Sequence, residues 1–144
     1  MILLDVNLLI YAYDARSAYH GTAKEWIDGQ LSGSGLVGFP WESISAFLRI
    51  VTHPRIYERP VPLANAWRQM RDWLDREVAW IPLPTERHIH VLEELLLQPG
   101  IRANLVPDAH LAALAIEHGL ILCSADHGFS RFPRLHWMNP LTSD

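Results

Sequence analysis

Four carboxylates in this chain fall at the same kind of place. Asp5 ends the short apolar run Ile2-Leu3-Leu4, and Glu42 follows the run Leu36–Phe39 and Pro40. Asp108 comes directly after Pro107, and Asp126 closes Ser124-Ala125-Asp126 behind the run Leu120–Cys123. Taken singly, each has a plain role: an acid at a helix N-terminus caps backbone N–H groups and meets the positive end of the dipole. The set implies more. Carboxylates converging on one point repel one another, so some are protonated or a cation sits among them. An all-oxygen donor set suits a hard cation such as Mg2+ or Mn2+. Such an ion lowers the pKa of a bound water and stabilises in-line displacement at phosphorus.

Convergence depends on the elements that carry the acids. Ile2–Leu4 reads as a buried strand and Leu8–Tyr13 as a helix, with Asp5 or Asn7 as its N-cap. Tyr19–Leu31 has helical spacing, with Ala23, Trp26, Ile27 and Leu31 on one face, and Ser32-Gly33-Ser34-Gly35 breaks it. Leu36–Phe39 is a second strand, and Pro40 opens a helix over Trp41–Val51 that ends before Pro54. His53–Pro62, with three prolines, His53, Arg55 and Arg59, reads as an ordered basic loop. Further helices are expected over Leu63–Arg76 and from Thr85 to Leu97, with a third strand at Val78–Leu83 between them. Pro107–His118, followed by Gly119, has the clearest helix punctuation in the chain. Leu120–Cys123 is a fourth strand and Leu135–Met138 a fifth, at an edge.

Short strands alternating with helical patterns predict βαβ units. The expected fold is therefore α/β: a three-layer α/β/α sandwich around a central, mostly parallel sheet of four to five short strands. In a parallel sheet all strands point one way, so Asp5, Glu42 and Asp126 emerge on one edge. Asp108 joins them if its helix begins there. Ligands bind at that edge in open α/β sheets.

The 144 residues fit a single domain, residues 1–144, large enough for a real core. At 49% hydrophobic and 19% charged, with six Trp and ten Pro, the composition is globular rather than disordered. A net charge of −4 argues against broad, nonspecific nucleic-acid binding but leaves room for a local basic rim. The basic residues are eleven Arg and one Lys, Lys24, and Arg suits bidentate contacts to phosphate. The single cysteine, Cys123, excludes an internal disulfide and a Cys-based zinc site, and reads as a core thiol. The N-terminus lacks the basic region of a signal peptide, and no stretch approaches the ~20 apolar residues of a membrane span. The expected location is the cytoplasm, with no membrane partner.

Several stretches in this order carry a family resemblance: Asp5-Val6-Asn7-Leu8-Leu9-Ile10, Trp41-Glu42, Pro107-Asp108-Ala109-His110-Leu111-Ala112-Ala113-Leu114-Ala115, and Ser124-Ala125-Asp126-His127-Gly128-Phe129 with Arg131-Phe132. The chain resembles the PIN domain, and within it the VapC-type toxins of toxin–antitoxin pairs. Arg49-Ile50-Val51-Thr52-His53-Pro54-Arg55-Ile56 is similar to one branch of that family. The resemblance covers the whole chain. It implies a Mg2+-dependent endoribonuclease, with Mn2+ as a substitute, that hydrolyses RNA by metal-activated water. It also implies a homodimer and a small VapB-like antitoxin as partner. Asp5, Glu42, Asp108 and Asp126 match the family's four metal-site acids, and Asn7 and Ser124 match supporting positions. Many relatives carry a further acid where this chain has Gly128, so a second ion here would lean on the substrate phosphate.

Arg49, Arg55, Arg59 and Arg131 are candidates to grip flanking phosphates, and His53 and His127 to touch RNA. The remaining histidines read as surface or packing residues: His88 and His90 lie on different helix faces, and no pair has zinc spacing beside a third ligand. Trp67 and Trp73 read as core or interface rather than base-stacking residues. Surplus Trp on the second and fourth helices suits a protein partner. Two other functions compete with this one. A haloacid-dehalogenase-like phosphatase needs a second Asp where this chain has Asn7, and a Lys late in the chain. The only Lys, Lys24, comes too early. A catalytically silent binding module would have no need of all four acids.

Overall fold

The computed structural model describes residues 1–142. Five strands alternate with helices in the order β1 (Ile2–Leu4), α1 (Val6–Tyr13), α2 (His20–Leu31), β2 (Val37–Gly38), α3 (Trp41–Val51), α4 (Leu63–Leu74), β3 (Ala79–Trp80), α5 (His88–Leu96), α6 (Leu105–His118), β4 (Ile121–Cys123) and β5 (Trp137–Met138). A short 3-10 turn, His127–Arg131, joins β4 to β5. All pairings are parallel, and the strand order is β3-β2-β1-β4-β5. β1 is the central strand: Ile2 stands opposite Val37 on one side and Ile121 on the other, and Leu4 opposite Cys123.

Alternation along β1 divides the core in two, because successive strand side chains point to opposite faces. Ile2 and Leu4 pack with α1–α4, against Leu8, Leu9, Ile27, Phe47 and Met70. Leu3 packs with α5 and α6, against Leu95, Leu114 and Phe129. This is the expected three-layer sandwich. On α3 the buried residues Ile44, Phe47 and Val51 fall on one stripe. On α6 the unbroken buried run Leu111–Ala115 is mostly alanine, which lets the helix lie close to its neighbours.

Element existence follows the sequence closely, while several ends differ. α1 starts at Val6, which makes Asp5 its N-cap and puts Asn7 inside the helix. α6 starts at Leu105, so Pro107 is its third residue. A helix tolerates proline there because the N–H groups of its first turn have no intrahelical acceptor to lose. Gly119 ends α6 at φ 65°, a left-handed conformation that favours glycine. β3 shrinks to Ala79–Trp80 from the six residues expected, with Pro82 and Pro84 just beyond it. The loop at 53–62 is ordered by backbone bonds, including Tyr57 N to His53 O (3.0 Å) and Val61 N to Val51 O (3.0 Å). Trp73 is a core residue on the edge of Phe47, whereas Trp67 is 41% exposed. Cys123 is fully buried, and burial pushes its thiol up to about 12. No helix among the described residues is long and apolar enough to cross a membrane.

Candidate active site

The strand order creates a switch point. From β1 the chain builds outward through β2 and β3, then returns to lay β4 on the other side of β1. Connections therefore leave β1 and β4 in opposite directions, opening a crevice beyond their carboxyl ends. Asp5 leaves β1 at this crevice, and Ser124 to Asp126 leave β4 beside it. The backbone holds the two ends together, with Asp5 N donating to Cys123 O at 3.0 Å.

Hydrogen bonds fix Asp5. Its Oδ1 accepts from Val6 N at 2.8 Å, and its Oδ2 accepts from Ser124 Oγ at 2.7 Å. Asn7 Nδ2 donates to Ser124 Oγ at 3.0 Å and reaches Asp5 Oδ2 at 3.4 Å. Ser124 Oγ in turn accepts from Asp126 N at 3.0 Å. One buried hydroxyl thus ties together the two acids and the amide. Burial raises the Asp5 carboxyl above its ordinary value and Asp126 adds to the push, against the lowering by Ser124 and Val6.

Asp108, in the first turn of α6, faces the same crevice. Burial, then the charges of Asp126 and Asp5, raise it to about 6, and Arg131 opposes them. Asp126 caps the 3-10 turn, its Oδ1 accepting from Gly128 N at 2.8 Å. A Cβ at position 128 would stand 3.0 Å from that same oxygen, so a side chain there would press on Asp126.

Glu42 reaches the site from the other helix layer. Its neighbour Ser43 is buried and donates through Oγ to Leu4 O at 2.8 Å, which fastens the start of α3 to the end of β1. A cleft of about 340 Å³ is lined by Asp5, Glu42, Asp108 and His110, among others.

Glu42 Oε1 lies 2.7 Å from His110 Nε2, and His110 Nδ1 lies 2.9 Å from His88 Nε2. His88 Nδ1 donates to Glu117 Oε2. Glu117 Oε1 accepts from both Thr85 N and Thr85 Oγ1, each at 2.7 Å. Burial pushes the Glu117 carboxyl up, but the hydrogen bonds from His88 and Thr85 outweigh it and hold the group below its usual range.

This chain of groups is what sequence reasoning missed, having taken His88 and His110 as surface or packing residues. The available signal was on α6 itself. His110 and Glu117 are seven residues apart, hence two turns along one face of the helix, with only apolar residues between them.

The other candidate residues separate into two groups. Arg131 stays with the acids, donating through Nε to Gly128 O at 3.1 Å and acting on Asp108. His127 is exposed beside Asp126, its ring edge-on to Trp137 at 5.3 Å. Arg49, Arg55 and Arg59 are exposed and lie toward the other end of α3, with His53, whose Nδ1 accepts from Arg55 N at 3.0 Å. No hydrogen bond or ion pair among the described residues joins this second group to the acids.

The donor chemistry suits a hard divalent cation: Asp5 and Asp108 are raised in part by a neighbouring carboxylate charge, a repulsion that a cation would relieve. Among the described residues no three acidic, histidine or cysteine side chains form a ready-made cage. Mg2+ needs none, because it keeps several waters and takes one or two carboxylates directly.

The PIN domain family model matches residues 2–135. The chain is similar to Ribonuclease VapC37 of Mycobacterium tuberculosis, 42% identical over 140 residues and covering 97% of each chain. It is also similar to Ribonuclease VapC33 of the same organism, 33% identical over 141 residues, covering 98% of this chain and 99% of the relative. Among solved structures it resembles VapBC2 from Rickettsia felis bound to a DNA fragment from their promoter, with TM-score 0.72, 17% identity, and 96% and 98% of the two chains covered. It also resembles Mycobacterium tuberculosis VapC20, described as a sarcin-ricin loop cleaving toxin, with TM-score 0.65, 19% identity, and 94% and 99% covered.

Proposed function

The chain belongs to the PIN-domain family, in its VapC branch, and from that premise we propose that it is the ribonuclease toxin of a toxin–antitoxin pair, cleaving RNA with Mg2+ at the β1/β4 crevice. The observation that carries this reading is the gathering of Asp5, Asp108 and Asp126 at a topological switch point, where burial first and then the charge of Asp126 raise the carboxyls of both Asp5 and Asp108. A bound Mg2+ or Mn2+ would lower the pKa of a water and offset the charge that builds on the phosphate. The protein's own part is arrangement. Asp5, Asp108, Asp126 and Glu42 supply the oxygens. Ser124 and Asn7 orient Asp5 and hold its inner oxygen to a fixed direction. Arg131 and His127 meet the RNA backbone next to the acids, and Arg49, His53, Arg55 and Arg59 meet it farther along.

Support for an antitoxin partner comes from the family and from the surface. Trp67 on α4, Ile89 on α5 and Leu97 just past the end of α5 are 41%, 71% and 77% exposed, available apolar anchors for a partner helix or a second copy in a homodimer. The test is cleavage-site mapping on total RNA, comparing wild type with Asp5→Asn, with and without chelator. Discrete cuts that vanish with chelator and in Asp5→Asn are expected; cuts unchanged in Asp5→Asn would overturn the reading.

A further inference from the structure

One side-chain contact crosses the cleft between the two helix layers. Glu42 opens α3, on the α1–α4 side of the sheet, and His110 sits on α6, on the other side. They meet at 2.7 Å. An exposed His–Glu pair on its own contributes little, since two mobile side chains must be held in one geometry. This pair is backed. His110 bonds His88 at 2.9 Å, and His88 donates to Glu117. The Glu117 side chain is 0% exposed. A buried carboxylate is costly unless hydrogen-bonded, and this one is bonded at both oxygens, by Thr85 and by His88. Arg87 Nη2 donates to Glu117 O at 2.8 Å, which ties the start of α5 to the same point. The packing of α6 needs no acid at this position, because Leu111, Leu114 and the alanines already fill its interface. What the buried acid does is set the orientation of His88, and through it the orientation of His110.

We propose that His110, backed by His88 and the buried Glu117, is a positioning residue that holds the Glu42 carboxylate in the cleft opposite Asp5 and Asp108. The proposal rests on the metal-nuclease reading above. It assigns His110 no contact with RNA and no proton transfer; His110 acts through Glu42.

The experiment uses the full chain and three readouts: Mn2+ affinity by EPR titration, steady-state RNA cleavage, and thermal unfolding. His110→Ala should weaken Mn2+ binding about 10- to 100-fold and lower kcat by a similar factor, with KM little changed. His110→Gln, whose amide N–H replaces the Nε2 donor, should regain most of both losses. His110→Asn, polar but too short to reach Glu42, should not, and it carries the test if the alanine variant unfolds. The decisive comparison is the double-mutant cycle on Mn2+ affinity. In a Glu42→Gln background His110→Ala should change affinity by less than about twofold, because its effect runs through Glu42. If His110→Ala costs the same factor with and without Glu42, the residue acts on the fold at large and the proposal is wrong. Wild-type affinity and kcat in His110→Ala would equally sink it. A wild type that fails to bind Mn2+, or an Asp5→Asn protein that still cleaves, would remove the nuclease reading and the positioning role with it. An inactive Asp5→Asn beside a normal His110→Ala removes only the positioning role.

Discussion

Asp108 shows how a single residue records the conflict between folding and the proposed function. Its folded pKa is raised from 3.8 to about 6. Between those values the folded protein holds a proton that the unfolded chain has released, so in metal-free protein stability falls as pH rises through this window. Asp108→Asn removes the charge and should stabilise the metal-free protein at pH 7 by roughly 1 kcal/mol, allowing for solvent screening at a half-buried carboxyl. The gain should disappear below pH 3.8, where the acid is protonated in both states. Urea melts of wild type and variant at pH 7 and 3.5 measure the difference; an Asn variant less stable at pH 7 would contradict the crowding. The same substitution should abolish cleavage, since it removes an anionic oxygen from the proposed metal site. The four acids and their order were legible from residue type and position alone. The histidine chain behind Glu42 was not, because Glu42 and His110 are 68 residues apart and nothing local to either announces the other.

At the scale of the element, each acid depends on how its strand or helix is fastened. α3 presents Glu42 because Ser43, one residue on, is anchored to Leu4 O at 2.8 Å. Ser43→Ala leaves that carbonyl without this donor in a buried position, and should cost about 1–3 kcal/mol. RNA cleavage should fall by more than the melting curve explains, because the start of α3 is then free to move Glu42 away from Asp5. Denaturant melts and cleavage rates on the same preparations test this; a stability loss with normal kcat would show that the anchor serves packing only. The helices themselves were legible. Apolar periodicity, Pro40 before α3 and Gly119 after α6 mark them with local chemistry. Their ends were less so. α6 takes in Leu105 and Val106 ahead of Pro107, because proline in a first turn does not have to be the first residue.

For the whole molecule, the question is how a chain with net charge −4 would hold RNA. The attraction would have to be local, and the candidates for it are exposed arginines at the C-terminal end of α3 and in the loop after it, with Arg131 at the 3-10 turn. Single-stranded RNA binding should weaken with salt by a slope of about −0.7 per neutralised phosphate. The triple variant Arg49→Ala, Arg55→Ala, Arg59→Ala should therefore reduce that slope by roughly 2 while leaving Mn2+ affinity near wild type. Fluorescence anisotropy across a salt series reads it, and an unchanged slope would remove these three residues from the RNA path.

The sequence by itself determined the alternation of strands and helices, the parallel sheet, and the four acids at element ends, because periodicity, punctuation and residue chemistry are local properties. The tertiary structure decided which strand ends are neighbours and which side chains meet across the cleft. β4 returning to pair with β1 brings Ser124 and Asp126 to Asp5, and packing α5 against α6 brings His88 between His110 and Glu117. These contacts join residues far apart along the chain. The first is set by the order in which strands add to the sheet and the second by how two consecutive helices pack, and no local pattern encodes either.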